Sequence, residues 1–329
     1  EVARIHGYDR IPSTDRPMPA RLHPRQETRT ELTRIQDLMV DLGYREAITY
    51  SFVDAKSEAV LAPDRSPLAL SNPISAELGV MRTTLWSGLL KALRHNLHRQ
   101  ETRVRLFETG LRFLPGNDAG LRQEASLAAL ATGPRWPEQW AAQAQPTDFF
   151  DMKGDLEALL ALTRATDVTF VGRANPALHP GQCAALLQQG EVRGWLGVLH
   201  PQIAKALDIA CPVCLFEIDL AILQDGALPR FAPLSSFPAV RRDIALLVDE
   251  DIQVGEIQAV IAGLGMTELR DYFVFDVFTG KGVPDGRKSV ALGLIFQDLF
   301  RTLTDRDSDD AVHRIVGELK QTLGADLRV

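Results

Sequence analysis

The last third of the chain, from Ser235 to Val329, combines hydrophobic patterns of two different periods. A strand is predicted near Asp243–Val248. The next segment repeats its apolar residues at steps of three and four and stops at Gly265, which is typical of an amphipathic helix. The apolar positions of this helix are Val254, Ile257, Val260, Ile261 and Leu264.

Two more strands are predicted on either side of TGKGVPDGRK, whose Gly, Pro and Asp residues suit a tight turn. Before the turn, LRDYFVFDVF alternates with period two, as a half-buried strand does. One face would carry Phe273, Phe275 and Val277, and the other Tyr272, Val274, Asp276 and Phe278. After the turn, SVALGLIFQ directs one set of residues inward: Val290, Leu292, Leu294 and Phe296. Its opposite face is small and polar enough to admit a partner, and consists of Ser289, Ala291, Gly293 and Gln297.

A second helix is predicted to begin at Thr304, an N-cap with Asp307 three residues later, and to end at Gly324. Its buried positions would be Val312, Ile315, Val316, Leu319 and Leu323, and DLRV would form a short last strand. The order βαββαβ is that of a ferredoxin-like α+β domain, a fold that hosts many functions. The pattern alone leaves two hypotheses open: an RNA-reading module, or a structural or regulatory domain.

The middle of the chain mixes helices and strands without regular βαβ alternation. Helices are predicted over QETRTELTRIQDLMVDLG and around Leu85, Leu89, Leu93 and Leu97; strands over YREAITYSFV, RVRLFETGLRF and EVRGWLGVLHP. This favours an α+β domain with a largely antiparallel sheet. The helix that contains Leu89 has a basic side, which is either an RNA contact or a solvated face: Lys91, Arg94, His95, His98 and Arg99.

Pro and Gly cluster near residues 11–24 and 225–238, where linkers are expected. We therefore divide the chain into the end of a preceding domain with its linker (1–21), a central module (22–228), a second linker (229–234) and the ferredoxin-like domain (235–329). The first residue is Glu, and the opening EVARIHGYDRIP is typical of the cut end of a longer chain.

The composition is that of a soluble globular protein, with 45% hydrophobic and 24% charged residues and no apolar run of membrane-spanning length. The net charge of −7 argues against a protein that coats nucleic acid nonspecifically. Residues 235–329 alone contain eleven Lys and Arg against sixteen Asp and Glu, a net charge of −5. Any RNA contact there must rest on a few placed residues, for which the candidates are Arg241, Arg242, Lys281, Arg287, Lys288 and Arg301.

Three cysteines do not make a disulfide framework, so a reducing, cytoplasmic location is expected. Cys211 and Cys214 have CxxC spacing, and His179 or His200 could join them at a zinc ion, but the ligand set is incomplete. The acids Asp148, Asp151, Asp155 and Glu157 suggest the start of a helix more than a metal or acid–base site. No Rossmann, P-loop, GxSxG or HExxH motif is present.

Several motifs together resemble a known family. SSFPAVRRDIALLV, FDVFTGKGVPDGRKSVALGLIFQ and RTLTD are similar to a ferredoxin-fold anticodon-binding domain. NPISAELGVMRTTLWSGLL, RLFETG, DFFDMKG and GVLHP are similar to a central module that resembles a class II synthetase catalytic fold. The chain as a whole resembles the C-terminal half of the bacterial phenylalanyl-tRNA synthetase beta subunit.

The resemblance implies a part in the ATP-dependent charging of tRNA(Phe), with catalysis in a separate alpha subunit. At the third class II motif, VCLFEIDLAIL carries Glu217 and Asp219 where the family's active versions have Gly and an essential Arg. Because carboxylates there would repel a triphosphate, we expect this fold not to catalyse adenylation. An active adenylating enzyme is the competing interpretation.

The resemblance also implies partners and cofactors. The segment 25–53 resembles the first class II motif, so its apolar stripe is expected to pack against the alpha subunit and a second beta subunit in an (αβ)₂ assembly. ATP and magnesium would serve the holoenzyme, and Glu1 matches the last carboxylate of a magnesium site in the preceding domain. One carboxylate is a poor site for a hard cation, so no cofactor is expected in this sequence alone. No membrane or DNA partner is implied.

For the C-terminal domain the resemblance implies contact with the anticodon stem and loop. Single-stranded bases are read by stacking and edge hydrogen bonds, with cations on the phosphates. The expected RNA-binding residues are Phe237, Arg241, Arg242, Tyr272, Lys288, Ser289 and Arg301. The alternative is a structural scaffold whose ferredoxin-like domain makes protein contacts only.

Overall fold

The computed structural model describes residues 1–13, 26–116, 120–165 and 167–328. The chain divides into two compact units, Glu1–Pro229 and Arg230–Val329. Most of the first predicted linker, at 11–24, lies outside the described residues. Within the described ranges, no helix is long and apolar enough to cross a membrane.

The first unit contains a seven-stranded sheet with helices on both sides. Its elements in chain order are α1 (Val2–His6), α2 (Leu32–Asp41), β1 (Arg45–Glu46), β2 (Phe52–Val53), α3 (Ala55–Leu61), β3 (Val80–Met81), α4 (Trp86–Leu97), β4 (Val104–Pro115), β5 (Leu121–Thr132), α5 (Phe149–Thr163), β6 (Val168–Gly172), β7 (Leu178–Gln188), β8 (Glu191–Leu199), α6 (Pro201–Ala206), β9 (Cys214–Asp219) and α7 (Leu220–Gln224). The strand order is β1-β4-β5-β9-β8-β7-β6, and only the pair β1 and β4 is parallel. The predicted α+β module with a largely antiparallel sheet is confirmed.

Alternate residues of β5 point into two cores, one on each face of this sheet. Leu127 and Ala129 face a core with α2 and α5, whereas Ala128 and Leu130 face a core with α4. Leu85, Leu89 and Leu93 are fully buried in the second core, as the predicted leucine stripe requires, and the basic residues of α4 remain exposed.

The expected role of the α2 stripe is wrong for its central residues. Ile35 and Met39 are 0% exposed because they pack against Met152 and Leu156 of α5, inside the chain's own core. This stripe therefore holds the unit together and does not offer those side chains to another subunit.

The strand predicted over YREAITYSFV is divided into β1 and β2, which belong to different sheets. Between them, the Thr49 hydroxyl donates to Glu108 Oε2 over 2.7 Å, and its backbone N–H donates to Glu108 Oε1. Side-chain partners thus replace the strand partners that a continuous ladder would need. Two large side chains beside Thr49 remain exposed, Ile48 at 91% and Tyr50 at 74%.

The acidic segment near α5 is a helix start, as predicted. Asp148 is the N-cap, and its side chain and that of Asp151 each accept a hydrogen bond from the other's backbone N–H. Asp155 accepts from the Tyr44 hydroxyl over 2.7 Å and also binds Arg105. Burial raises the pKa of Asp155 above its ordinary value, against the opposing effects of Tyr44 and Arg105.

The second unit has the predicted order βαββαβ. Its elements are β10 (Val240–Asp249), α8 (Val254–Gly263), β11 (Leu269–Phe278), β12 (Arg287–Phe296), α9 (Asp305–Leu323) and β13 (Asp326–Leu327). They form an antiparallel sheet in the order β11-β12-β10-β13. Helices α8 and α9 cover one face, where Val290, Leu292, Leu294 and Phe296 are all 0% exposed. Thr304 and Gly324 cap α9 as expected.

Strand β11 departs from the predicted alternation because it contains two β-bulges. Leu269 and Asp271 pair with successive residues of β12, and so do Val274 and Asp276, which leaves Arg270 and Phe275 as the extra residues. After the second bulge the faces are exchanged. Val277 lies opposite the core residue Val290, and Phe278 lies opposite Ser289 on the other face, which corrects the predicted positions of Val277, Asp276 and Phe278.

Candidate nucleic-acid interface

The face of the second unit's sheet that is turned away from α8 and α9 is built from cross-strand rows. Arg241 and Asp271 flank Ile295 in one row, and Asp243 and Phe273 flank Gly293 in the next. Paired residues of an antiparallel sheet lie on the same face, as do residues two apart along a strand. These rows therefore form one continuous surface, which we call the outer face.

Three phenylalanines of β11 lie exposed along the outer face: Phe273 at 38%, Phe275 at 50% and Phe278 at 40%. We call these three residues the aromatic stripe. The rings of Phe273 and Phe275 are tilted by 57°, with centroids 6.3 Å apart. A Cβ atom at Gly293 would come within 2.7 Å of Phe273 Cζ, so the missing side chain gives the ring its place on the sheet. That contact also buries Gly293, which the sequence had placed on an open face.

Two arginines accompany the stripe. The Arg241 guanidinium carbon lies 5.1 Å from the Phe273 ring centroid and 5.6 Å from that of Phe275, and Arg328 lies 5.6 Å from that of Phe278. Arg241 also donates to Asp243 over 2.7 Å. Exposed aromatic rings next to cations are what a single-stranded nucleic acid needs, because its bases stack and its phosphates pair with positive charge.

Three of the predicted cations are held by neighbouring groups. Arg242 donates to Asp305 over 2.6 Å and to Asp309 over 3.1 Å, at the start of α9, and these hydrogen bonds raise its pKa. Arg301 donates to both carboxylate oxygens of Asp307, and Lys288 Nζ donates to the Glu250 carbonyl over 2.8 Å. Of the predicted arginines, only Arg241 lies beside the aromatic stripe.

The other predicted contacts lie away from the stripe or beneath it. Tyr272 packs into the core, and its hydroxyl donates to the Gln258 carbonyl over 3.3 Å. Burial raises the pKa of Tyr272, and the Asp271 carboxylate adds to this effect. Ser289 is 4% exposed and offers almost no surface to a partner. Phe237 is half-buried beside the end of β12, where its carbonyl accepts a hydrogen bond from Gln297.

Sequence reasoning did not select the stripe because simple alternation places Phe278 on the same face as Tyr272. A signal for the stripe was nevertheless present. Tyr272 and Val274 already supply an apolar inward set for the first half of β11, so Phe273 and Phe275 had no core position left to fill.

In the first unit, the carboxylates of the degenerate class II motif are buried and paired. Glu217 is 3% exposed; it accepts from the backbone N–H of Leu85 over 2.6 Å and lies 3.3 Å from Arg112. Asp219 also binds Arg112. Burial alone would lower the pKa of Arg112, but the carboxylates of Glu217, Asp219 and Glu124 raise it. Burial raises the pKa of Asp219, which Arg112 opposes.

Two other arginines in this unit are engaged in the same way. Arg82 is 3% exposed and donates to Glu108 over 2.6 Å, and Arg105 is 8% exposed and binds Asp155. Each of the three guanidinium groups thus has a carboxylate partner already. A phosphate would have to displace that partner.

The candidate metal ligands are scattered. Glu1 is exposed and forms a 2.6 Å ion pair with Arg4, which competes with a cation for its carboxylate. The three cysteines are free thiols, and burial raises the pKa of Cys214 to about 12. Across the described ranges, no group of three or more His, Cys, Asp or Glu side chains is arranged to hold a metal ion.

Comparisons with known proteins match both units. Residues 11–220 match the family model described as phenylalanyl tRNA synthetase beta chain CLM domain, and residues 235–328 match the one described as ferredoxin-fold anticodon binding domain. The chain is 47% identical over 328 residues to the phenylalanine–tRNA ligase beta subunit of Methylococcus capsulatus, and 45% identical over 332 residues to that of Nitrosococcus oceani. All of this chain is covered, but only 41% and 42% of these two relatives.

Among solved structures, the chain is similar to a pyrrolysyl tRNA synthetase of Desulfitobacterium hafniense. The TM-score is 0.44 and the identity 11%, with 60% of this chain and 69% of the other covered, a likeness too small to inform on function. The family models and the curated relatives agree with each other over nearly every residue. The chain belongs to the family of phenylalanyl-tRNA synthetase beta chains.

Proposed function

We propose that this chain is a noncatalytic, tRNA-binding part of a phenylalanine–tRNA ligase, and that its second unit contacts the anticodon region of tRNA(Phe). One observation carries the proposal: the outer face presents three exposed phenylalanines, and arginine side chains lie within 5.6 Å of their ring centroids. The alternative, a scaffold that makes protein contacts only, could also cover these rings, and the measurements of tRNA affinity below separate the two.

The contact would combine stacking with a small number of charged interactions. Unpaired anticodon bases can stack on Phe273, Phe275 and Phe278, while Arg241 and Arg328 lie close enough to pair with the backbone phosphates. Lys288, Arg242 and Arg301 are also proposed to contact the RNA. Each of them would first have to break its present hydrogen bonds to other groups of the protein. Phe237 could extend the stacking surface at the end of β12.

The first unit is proposed to be a catalytic-like fold without adenylation activity. Buried Glu217 hydrogen-bonds Leu85 at the N-terminus of α4, so in this chain the motif secures a helix. Arg82, Arg105 and Arg112 are committed to carboxylates, which leaves them poorly placed to receive a triphosphate. ATP and magnesium are therefore proposed to act in the holoenzyme outside this chain. Glu1 would need further ligands from elsewhere to hold magnesium.

The first unit is proposed to assemble with the alpha subunit and a second beta subunit as (αβ)₂. The almost fully exposed Ile48 and the exposed Tyr50 beside β1 support an interaction surface in this unit. The free cysteines agree with a reducing, cytoplasmic setting. We keep the proposed division at 1–21, 22–228, 229–234 and 235–329 as the domain organisation.

The test is tRNA(Phe) charging by the reconstituted ligase. Removing the residues after Pro233 should weaken apparent tRNA affinity, and unchanged affinity would rule out the proposal. Substituting Phe273, Phe275 or Phe278 by Ala should cost about 1–3 kcal/mol of binding free energy for each base that loses its stacking partner. The matched control is Phe150→Ala, which removes a 74% exposed phenylalanine from the first unit and should leave tRNA affinity unchanged.

Pyrophosphate exchange tests the noncatalytic assignment. The beta chain without its alpha subunit should show none. Exchange that depends on Arg112 or Arg105 would contradict the assignment and favour the adenylating alternative.

A further inference from the structure

A pocket of about 530 Å³ lies at one end of the outer face, within the second unit. Its lining includes Pro233, Ser235, Arg270, Asp271, Ile295 and Gln297. Small-ligand pockets span roughly 300–1,000 Å³, so this space has room for a single nucleotide. We call it the end pocket.

The end pocket is continuous with the aromatic stripe. Ile295 and Asp271 belong to the same cross-strand row as Arg241, and the next row contains Phe273. The Arg241 side chain reaches from the pocket row to the rings of Phe273 and Phe275. An RNA strand on the stripe would therefore meet the pocket after one further step along the sheet.

The segment that forms the pocket wall beside Ile295 is held by hydrogen bonds within the protein, without any ligand. Ser235 Oγ donates to the Asp298 carbonyl over 2.6 Å and accepts from the Phe237 N–H over 3.0 Å. Gln297 Nε2 donates to the Phe237 carbonyl over 2.7 Å. These bonds hold the segment before β10 against the end of β12, so binding would not have to order it.

The first bulge of β11 supplies the charged groups of the pocket. Arg270 is the extra residue of that bulge, and Asp271 follows it. Bulges redirect side chains and recur next to functional sites. Within the part of the chain that the structure describes, Arg270 has no carboxylate at ion-pair distance, in contrast to Arg241, Arg242 and Arg301. Its guanidinium is free to bind a phosphate.

The chemistry of the lining fits a nucleobase. Pro233, Ile295 and Leu299 provide apolar contacts for a flat ring, and the Asp271 carboxylate accepts hydrogen bonds from its edge. Asp271 Oδ1 already accepts from the Tyr272 N–H over 2.8 Å, which orients the side chain. Because a carboxylate only accepts, it favours the amino groups of guanine, adenine and cytosine, which uracil lacks.

We infer that the end pocket binds one base of the same RNA strand that stacks on the aromatic stripe, with Asp271 selecting an amino-bearing base and Arg270 binding its phosphate. The inference rests on the proposed function and adds a specificity-determining site to it. A protein side chain is the competing occupant of the pocket.

The experiment measures binding of the full-length beta chain, co-purified with its alpha subunit, to tRNA(Phe) transcripts that each carry one abasic anticodon-loop nucleotide. Arg270→Ala and Asp271→Asn should each weaken binding of intact tRNA roughly tenfold, which corresponds to about 1.4 kcal/mol. One particular abasic transcript should bind wild type as weakly as Asp271→Asn binds intact tRNA, and Asp271→Asn should not weaken it further, whereas Arg270→Ala should still weaken it because the abasic nucleotide keeps its phosphate. The matched control is Arg306→Ala, because Arg306 is exposed on α9 at the opposite face.

The outcomes separate the pocket from the function. If the stripe variants lose affinity while Arg270→Ala and Asp271→Asn bind every transcript normally, the pocket is not a base site although the domain still binds tRNA. If neither the stripe variants nor the pocket variants lose affinity for tRNA(Phe), the proposed function fails as well. Equal weakening for all abasic transcripts, or loss of the alpha subunit from the variants, would also overturn the inference. Asp271→Asn should in addition tolerate uracil at the selected position, because an amide both donates and accepts.

Discussion

Gly293 is the residue on which the position of the aromatic stripe depends most directly. Gly293→Ala should push the Phe273 ring off the sheet, because the new Cβ would lie 2.7 Å from its Cζ. We expect tRNA affinity to fall by about 1–3 kcal/mol, the contribution of one stacked base. The free energy of unfolding should change by less than about 1 kcal/mol, since the ring can rotate outward and Ala suits a strand better than Gly. Gly317→Ala in α9 meets no atom within 4 Å and serves as the control in the same binding and urea-unfolding measurements.

Arg242 illustrates how similar neighbours can have different roles. Arg242→Ala should lower the melting temperature and leave tRNA affinity unchanged, because its guanidinium joins β10 to Asp305 and Asp309 of α9. Arg241→Ala should do the reverse, because it removes a cation from the stripe. Thermal melts and tRNA titrations on both variants distinguish the structural role of Arg242 from the binding role of Arg241. Weaker tRNA binding by Arg242→Ala with an unchanged melting temperature would contradict the structural role.

Glu217 is the residue whose loss should be most costly in the first unit. Glu217→Ala leaves the Leu85 N–H without its buried acceptor and removes one of the three carboxylates that bind Arg112, and loss of a buried hydrogen-bond partner costs about 1–3 kcal/mol of unfolding free energy. Urea unfolding measures this loss. The control is Glu191→Ala, whose side chain is 70% exposed and pairs only at the surface. A small loss for Glu217→Ala would show that the motif is free for another role.

At the scale of elements, periodicity predicted most of the architecture. The helices at Leu89 and Ile315, the strands of the second unit and the cap at Thr304 follow from apolar spacing and local hydrogen-bonding residues. Periodicity missed the features of secondary structure that depend on tertiary contacts. The bulges of β11 depend on pairing with β12, and the break in YREAITYSFV depends on Glu108, which lies far away in the sequence. The aromatic stripe, and with it most of the candidate site, could not be assigned without the register of β11 against β12.

The start of α9 should make the second unit sensitive to acid. Hydrogen bonds from Arg301, followed by those from Thr304, lower the pKa of Asp307 well below its ordinary value. A depressed carboxylate pKa stabilises the folded state fully above the unfolded-state pKa, and this contribution is lost as the pH falls toward the folded-state pKa. Unfolding free energy should therefore fall on acidification from pH 7 to about pH 3. Asp307→Asn should be less stable at pH 7 and lose less on acidification. Equal pH dependence in the two proteins would contradict the assignment.

At the scale of the molecule, the proposed RNA contact of the second unit has to form against an unfavourable net charge of −5 over residues 235–329. If Arg241, Arg270 and Arg328 are its phosphate contacts, the slope of log affinity against log salt contributed by this unit should be roughly −2, at about −0.7 per phosphate. Comparing the salt dependence of the ligase with and without residues after Pro233 isolates that slope. A much steeper dependence would mean that additional cations, such as Lys288 or Arg301, leave their partners to bind RNA.

The bulge at Phe275 allows the outer face to change its number of rings without a change of register. Deletion of that one residue would leave every later pair in place, because Asp276, Val277 and Phe278 already pair with successive residues of β12. Phe278 would therefore stay on the outer face, and Phe275, the most exposed ring of the three at 50%, would be lost. A single-codon deletion would thus reduce the aromatic stripe from three rings to two while leaving β10 and β12 unaltered. Descendant genes could in this way acquire a preference for fewer stacked bases, without a substitution at any other position of the recognition surface.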